Sequence, residues 1–328
     1  MGDMLKKNRR IMLYLIVSNF LLFFGFRIWQ TLFNNFAVEE LSLGPAGVGW
    51  IQALRELPGL MGFLLGFLAL YLSEIRIIAL SVILLGAGLF LTGQADTFMF
   101  LVVGTLVMSF GFHFFYPSSN AVVLMSADKE QAPKTLGQLG SLNAVAAVLA
   151  TVAVYLLVDP LGYRGLFMVM GGLIVVGGLF LLPVRGPKEG LPPRRQVVMR
   201  RQYWLYYTLS FLMGSRRHIF TTFAIFLLVR DYGISVQATA TLFLVNSLVN
   251  IFTLRWVGRM VGQLGERVML SIAFGTLAIV FLGYAYVTYL PLLFALFVID
   301  NVMFGFNIAL QTYFQKIAIS PEEITSNV

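Results

Sequence analysis

Ten long apolar runs, each bounded by charged residues, glycine or proline, dominate this 328-residue chain, at about 11–38, 46–73, 76–94, 97–125, 137–158, 164–184, 203–229, 235–257, 268–288 and 290–315. An α-helix rises about 1.5 Å per residue and the hydrocarbon core of a bilayer is about 30 Å thick, so runs of this length predict membrane-spanning helices. No segment alternates with the period of a membrane strand, which excludes a barrel. The expected fold class is therefore an all-α polytopic membrane protein. Composition agrees: 59% of residues are apolar and 12% charged, against about 45–50% and about 25% in a soluble domain.

The absence of cysteine removes disulfide frameworks, thiolate metal sites and cysteine nucleophiles together. No HExxH spacing, nucleophile elbow or phosphate loop is present, and the two histidines lie over a hundred residues apart. A membrane-embedded enzyme or receptor is the reading left from outside transport, and no cofactor or metal is expected. The formal charge of +8 does not point to nucleic acid, because no basic patch alternates with aromatics as single-strand binders require. At the N-terminus Lys6, Lys7, Arg9 and Arg10 precede an apolar run too long for a signal peptide and lacking a small-residue cleavage site, so it is expected to remain as the first helix.

Cytoplasmic loops collect Lys and Arg. With the N-terminus cytoplasmic, that side holds seventeen basic residues, including Arg76, Lys129, Lys134, Arg185, Lys188, Arg255, Arg259, Arg267 and Lys316; the other side holds only Arg164 and Arg230. The predicted location is a cell (inner) membrane with the N-terminus in the cytoplasm. The longest connection, VRGPKEGLPPRRQVVMRRQ, carries three prolines, two glycines and six basic residues. It divides the chain into an N-terminal six-helix bundle (1–184), a basic cytoplasmic linker (185–202) and a C-terminal bundle with four helices present (203–328).

The two parts read as copies. Gly66 and Gly258 each open a turn at an offset of 192 residues, Gly25 and Arg27 correspond to Gly214 and Arg216 at 189, and Ala127 corresponds to Ala318 at 191. Parallel six-helix repeats are a recognised transporter plan. The turn Gly258-Arg-Met-Val-Gly-Gln-Leu-Gly-Glu-Arg267 resembles the loop motif of the major facilitator superfamily, matching at Gly258, Gly265 and Arg267, with Gly262 in place of the acid; Leu161-Gly-Tyr-Arg-Gly-Leu-Phe167 resembles the Gly-aromatic-Arg start of that family's sixth helix. The resemblance implies two pseudo-symmetric bundles of six helices. About ten of the expected twelve spans are then present, and the tail SPEEITSNV is expected to stand where helix 11 would begin, as in a C-terminally truncated chain.

An ionisable side chain at bilayer depth costs at least about 2.5–3.5 kcal/mol and so needs an explanation. The candidates are Arg27, Arg55, Glu56, His113, Arg216, Arg217, His218 and Asp300. Helical rise puts Arg27, Arg55 and Arg216 near the expected midplane. Four arginines against two acids leave a net of +2, which would attract an anion. The resemblance implies that helices 1, 4, 7 and 10 line a central cavity. That would put Arg27, His113, Arg216 and Asp300 on its walls, in an arrangement similar to organophosphate/phosphate antiporters. Arg27, Arg55, Arg216, His113 and Asn120 are the candidate substrate contacts, although pairing with a nearby acid would equally explain an arginine. Glu56, Asp300 and His218 are the candidates for ion coupling or gating. Helix 4 also carries Pro117-Ser118-Ser119-Asn120, where proline frees a carbonyl for nearby hydroxyls. The expected function is secondary active transport of a small organic or inorganic anion, by a monomer, with a proton as coupling ion. Proton-coupled export of lipophilic drugs is the alternative, set back by the lack of proline between Gly137 and Tyr155.

Overall fold

The computed structural model describes residues 2–61, 64–65, 68, 71–126, 132–184 and 200–317, and all regular structure among them is helical. The chain forms two compact units, Met1–Pro192 with Ser235–Ala240, and Pro193–Ile234 with Thr241–Val328. Most of the basic linker lies outside the described residues.

In the first unit, α1 (Gly2–Asn35) continues into a π-helical turn (Phe36–Glu40). It is followed by α2 (Pro45–Arg55), the short α3 (Leu57–Leu60), α4 (Glu74–Gln94), α5 (Phe98–Ser126) and α6 (Ala132–Leu181). The fifty residues of α6 are two helices meeting at Gly162, whose φ of 66° and ψ of 173° are not helical. Pro160 brings no N–H to the ladder, and glycine alone adopts that backbone readily. The expected boundary between 158 and 164 falls there.

The core of the first unit is built by backbone contact, because helices in lipid gain little from the hydrophobic effect and associate instead through close packing of small residues. A Cβ on Gly86 of α4 would lie 2.8 Å from the Gly171 carbonyl oxygen, and one on Gly171 of α6 would lie 2.5 Å from the Phe90 nitrogen. Gly88 and Gly111 meet backbone across the α4–α5 contact in the same way. On the other face of α6 the order of side chains inverts. Val145, Leu149, Val152 and Leu156 are exposed at helical spacing, as are Val169, Leu173, Val176 and Phe180. A water-soluble helix would carry charge there; this stripe suits acyl chains.

In the second unit, α7 (Trp204–His218) passes through a π-helical turn (Ile219–Ala224) into α8 (Ile225–Tyr232). Then come α9 (Val236–Leu264), whose first turn, to Ala240, belongs to the first unit, α10 (Glu266–Tyr286), α11 (Leu290–Phe304) and α12 (Asn307–Ile317). The run expected as one helix over 290–315 is interrupted. Gly305 and Phe306 N–H turn back to Val302 and Met303 carbonyls three residues earlier, at 3.0 and 3.2 Å. The core gathers Tyr203, Tyr206, Val257, Met269, Ala273 and Phe314, with Tyr206 stacked on Phe314 at 4.1 Å. Among the described residues, the helices long and apolar enough to cross a membrane are Arg9–Glu40, Glu74–Gln94, Phe98–Val123, Gln138–Leu181 and Glu266–Tyr286, with Leu290–Phe304 shorter.

The neighbouring glycines of α6 give a controlled test. Gly171→Ala should destabilise the first unit by ~1–3 kcal/mol through overpacking. Gly172→Ala, whose added Cβ meets nothing within 4 Å, should be neutral or stabilising by ~0.5–1 kcal/mol. Thermal unfolding of the two purified variants in one detergent reads the difference.

Candidate functional site

Among the described residues each unit brings charges together inside its bundle, and in the first unit a helix break does so. Pro58 has no N–H to return to Leu54, so the ladder of α2 stops. The Glu56 N–H turns to the Ala53 carbonyl at 3.2 Å and the Gly59 N–H to Glu56 at 3.0 Å, each three residues back. The Arg55 carbonyl thereby loses its helical donor, and the Ser109 hydroxyl on α5 donates to it instead. The expected continuous helix over 46–73 is thus corrected to a helix broken at 55–57, with part of the remainder outside the described residues.

The break sets adjacent side chains to work together. Arg55, its side chain 10% exposed, gives Nη2 to Glu56 Oε1 at 2.6 Å. Its guanidinium lies 5.3 Å from the Trp29 ring centre and 6.0 Å from that of Phe26, both on α1. Such cation–π contact compensates a desolvated cation in part. The other oxygen of Glu56 lies 3.6 Å from Nε2 of His113. His113 reaches it by lying on bare backbone, since a Cβ on Gly59 would stand 2.9 Å from Cε1 and Nδ1 of the imidazole. Glu56 therefore serves both a guanidinium and an imidazole, and stays 39% exposed.

Arg27 is half-buried on α1, and its carbonyl accepts from the Thr31 hydroxyl at 2.9 Å. Asn120 is half-buried two turns after His113 on α5. Pro117 does not break α5. The Ser118 hydroxyl donates to Phe114 O at 2.9 Å, and Ser119 accepts from Asn19 on α1 at 3.1 Å.

In the second unit the centre is Arg216, 3% exposed. Its Nη2 lies 3.1 Å from the Asp300 carbonyl and 3.2 Å from Asp300 Oδ1, and its guanidinium carbon lies 4.1 Å from the Phe304 ring centre. Asp300 is fully buried, and its Oδ2 accepts from the Tyr284 hydroxyl at 3.4 Å. Nε and Nη1 of Arg216 have no hydrogen-bond partner among the described residues. A buried donor left so costs about 1–3 kcal/mol, more when charged.

Beside this pair runs a seam of amides. Asn250 and Asn301 exchange hydrogen bonds at 3.4 and 3.1 Å, and Asn301 Nδ2 also donates to the backbone carbonyl of Asn246 at 3.3 Å.

Some candidates fall elsewhere. The side chains of Arg217 and His218, and the surroundings of Gly258, lie outside the described residues. Gly265 caps α10 with φ of 80° and ψ of 161°, a conformation that favours glycine. Arg267 is exposed, and the ion pair at this turn belongs to Glu266, 2.6 Å from Lys316. Trp29, Ser109, Gly59 and Tyr284 were not singled out from the sequence. Pro58 was the available signal for the first cluster, but Tyr284 carries no mark that separates it from other membrane tyrosines. No group of three or more potential metal ligands occurs among the described residues.

Paired charges buried inside a helical membrane bundle mark a functional site, and the comparisons supply the class. The family model of the Major Facilitator Superfamily matches residues 15–327; the chain belongs to that superfamily. No curated protein matches it. Among solved structures, a bacterial homologue of the human lysosomal transporter Spinster, inward-facing and unoccupied, superposes with a TM-score of 0.74 at 18% identity, over 98% of this chain and 77% of that one. The nucleoside transporter NupG gives 0.75 at 17%, over 96% and 85%. A bacterial homologue of the iron transporter ferroportin, also inward-facing, gives 0.69 at 16%, over 97% and 89%. At these identities the likeness is one of fold. The chain is an integral membrane secondary transporter, not an enzyme.

A double-mutant cycle tests the second cluster. Arg216→Met or Asp300→Leu alone should destabilise the protein by ~3–5 kcal/mol by stranding a buried charge, and the double variant should recover most of the loss. Unfolding temperatures of the four proteins check it.

Proposed function

We propose that this transporter moves a small anionic solute by alternating access, with a proton as the coupling ion. Arg216 carries the reading. It is held in place through one nitrogen by Asp300, it is shielded from water, and its two other nitrogens have no partner among the described residues. A guanidinium so presented can grip an anionic oxygen without surrendering its anchor. The charge balance supports the same reading, since the candidate residues inside the apolar runs include four arginines against Glu56 and Asp300. Asn120 and His113 are the solute contacts proposed for the first bundle.

Asp300 is the proposed coupling group. Protonation would remove the charge that holds Arg216, so that proton and solute compete for one guanidinium. The Glu56–His113 pair could play the same part in the first bundle. His218 is proposed as a further coupling residue, and Gly258, Gly265 and Arg267 as the cytoplasmic loop motif. The distribution of basic residues supports an N-terminus in the cytoplasm, and the chain is proposed to act as a monomer in a cell membrane.

The test is uptake into proteoliposomes. Arg216→Gln with Asp300→Asn preserves net charge, so its failure is not that of a stranded ion. This double variant should lose anion uptake about 10- to 100-fold, the worth of a charge-assisted hydrogen bond or two. Asp300→Asn alone should retain anion exchange but lose accumulation driven by a proton gradient. Uptake of lipophilic cations, unaffected by either variant, would replace this reading with drug export. The orientation is checked separately. In a chain without cysteine, Lys188→Cys should be labelled by an impermeant maleimide only after the cells are opened, and Arg230→Cys in intact cells.

A further inference from the structure

The amide seam contains one member that does not belong to it. Asn246 and Asn250 stand one turn apart on α9 and share a face. The side chain of Asn250 is committed to Asn301, and both Nδ2 bonds of Asn301 are spent, on Asn250 Oδ1 and on the Asn246 carbonyl. Asn246 joins only through its backbone. The residue is 4% exposed, and neither Nδ2 nor Oδ1 of its side chain has a hydrogen-bond partner among the described residues. Buried amides are ordinarily satisfied. If the seam were only glue between α9 and α11, the Asn250–Asn301 pair would suffice, and an apolar residue at 246 would pack better.

We propose that Asn246 is a solute-recognising residue, and that the transported anion carries, next to its acidic group, a carboxamide, imide or ureide edge. The inference rests on the anion reading above and narrows it. A carboxamide presents one acceptor and two donor hydrogens side by side. Its complement is a group offering a donor and an acceptor at the same spacing, which a second amide-like edge does and a bare carboxylate or phosphate does not. Arg216 and Asn246 are tied to neighbouring positions of α11, the first to Asp300 and the second to Asn301. One solute meeting both would satisfy the donors of Arg216 and the amide of Asn246 together. A site built to hydrogen-bond a substrate group discriminates strongly against analogues that lack it, because its own polar atoms are then left buried and unpaired.

The experiment uses the purified full chain with singly charged anion pairs as probes, levulinate against succinamate and benzoate against uracil-6-carboxylate. Binding is read by thermal shift and by competition. The wild type should favour the amide-bearing member of at least one pair by about tenfold or more. Asn246→Leu should abolish that preference while leaving the response to the plain anion intact. The same substitution should raise the unfolding temperature of the ligand-free protein, by about 2–4 °C, since it removes an unsatisfied buried group. Asn246→Ala, which removes the amide without adding bulk, must lose the preference too. A lowered unfolding temperature for both variants would show that the amide is structural, and would overturn the proposal. So would plain anions that bind through Arg216 with no pair distinguished, an outcome that leaves the anion reading standing. If no anion stabilises the protein at all, the anion reading itself falls and takes this inference with it.

Discussion

An arginine inside a membrane bundle needs a compensating partner, an anion or a carbonyl, and the second unit is arranged around that requirement. Arg216 is bound by Asp300 through both side chain and backbone, covered by Phe304, and backed by a tyrosine on the carboxylate's second oxygen. The pair joins α7 to α11, and Tyr284 brings in α10. Replacing such a pair with well-packed apolar residues is often neutral or stabilising, so stability alone does not account for it. Under the coupling proposed for Asp300, its value lies in giving Arg216 a partner that a proton or a solute can replace, which an apolar contact does not offer.

The first unit solves the same problem differently. Arg55 meets a carboxylate one residue away in sequence, a geometry that a regular helix disfavours because successive side chains diverge by about 100°. The interruption at Pro58 and the aromatic wall of Trp29 and Phe26 make it workable. The glycine contacts among α4, α5 and α6 hold the remainder of the unit stiff. One bundle thus carries a half-exposed acid shared by two bases, and the other a dry pair with donors in reserve.

The helical class was legible because apolar runs of bilayer length admit few other folds. The superfamily was legible from the repeat offsets and the turn ending at Arg267. Of the candidate site, Arg55, Glu56, His113, Arg216 and Asp300 could be named, since each is a charge or an imidazole in a place that penalises it. Their partners could not be assigned in full. That His113 turns to Glu56 depends on the missing Cβ of Gly59, and that Asp300 holds Arg216 depends on the approach of α11 to α7. Neither is a property of spacing. Helix ends were also misplaced where a local hydrogen-bond shift, at Pro58 or at Gly305, divides a run whose apolar character does not change.

The broken ladder of α2 has a mechanical meaning. A helical carbonyl is normally tied to an amide fixed by its own backbone, so bending the helix there costs a whole hydrogen bond. At Arg55 the tie is a serine hydroxyl, which swivels about one side-chain bond and can hand the carbonyl to water without moving any backbone. The segment bearing Arg55 and Glu56 is thereby fastened to α5 through a side-chain rotor rather than through its own ladder.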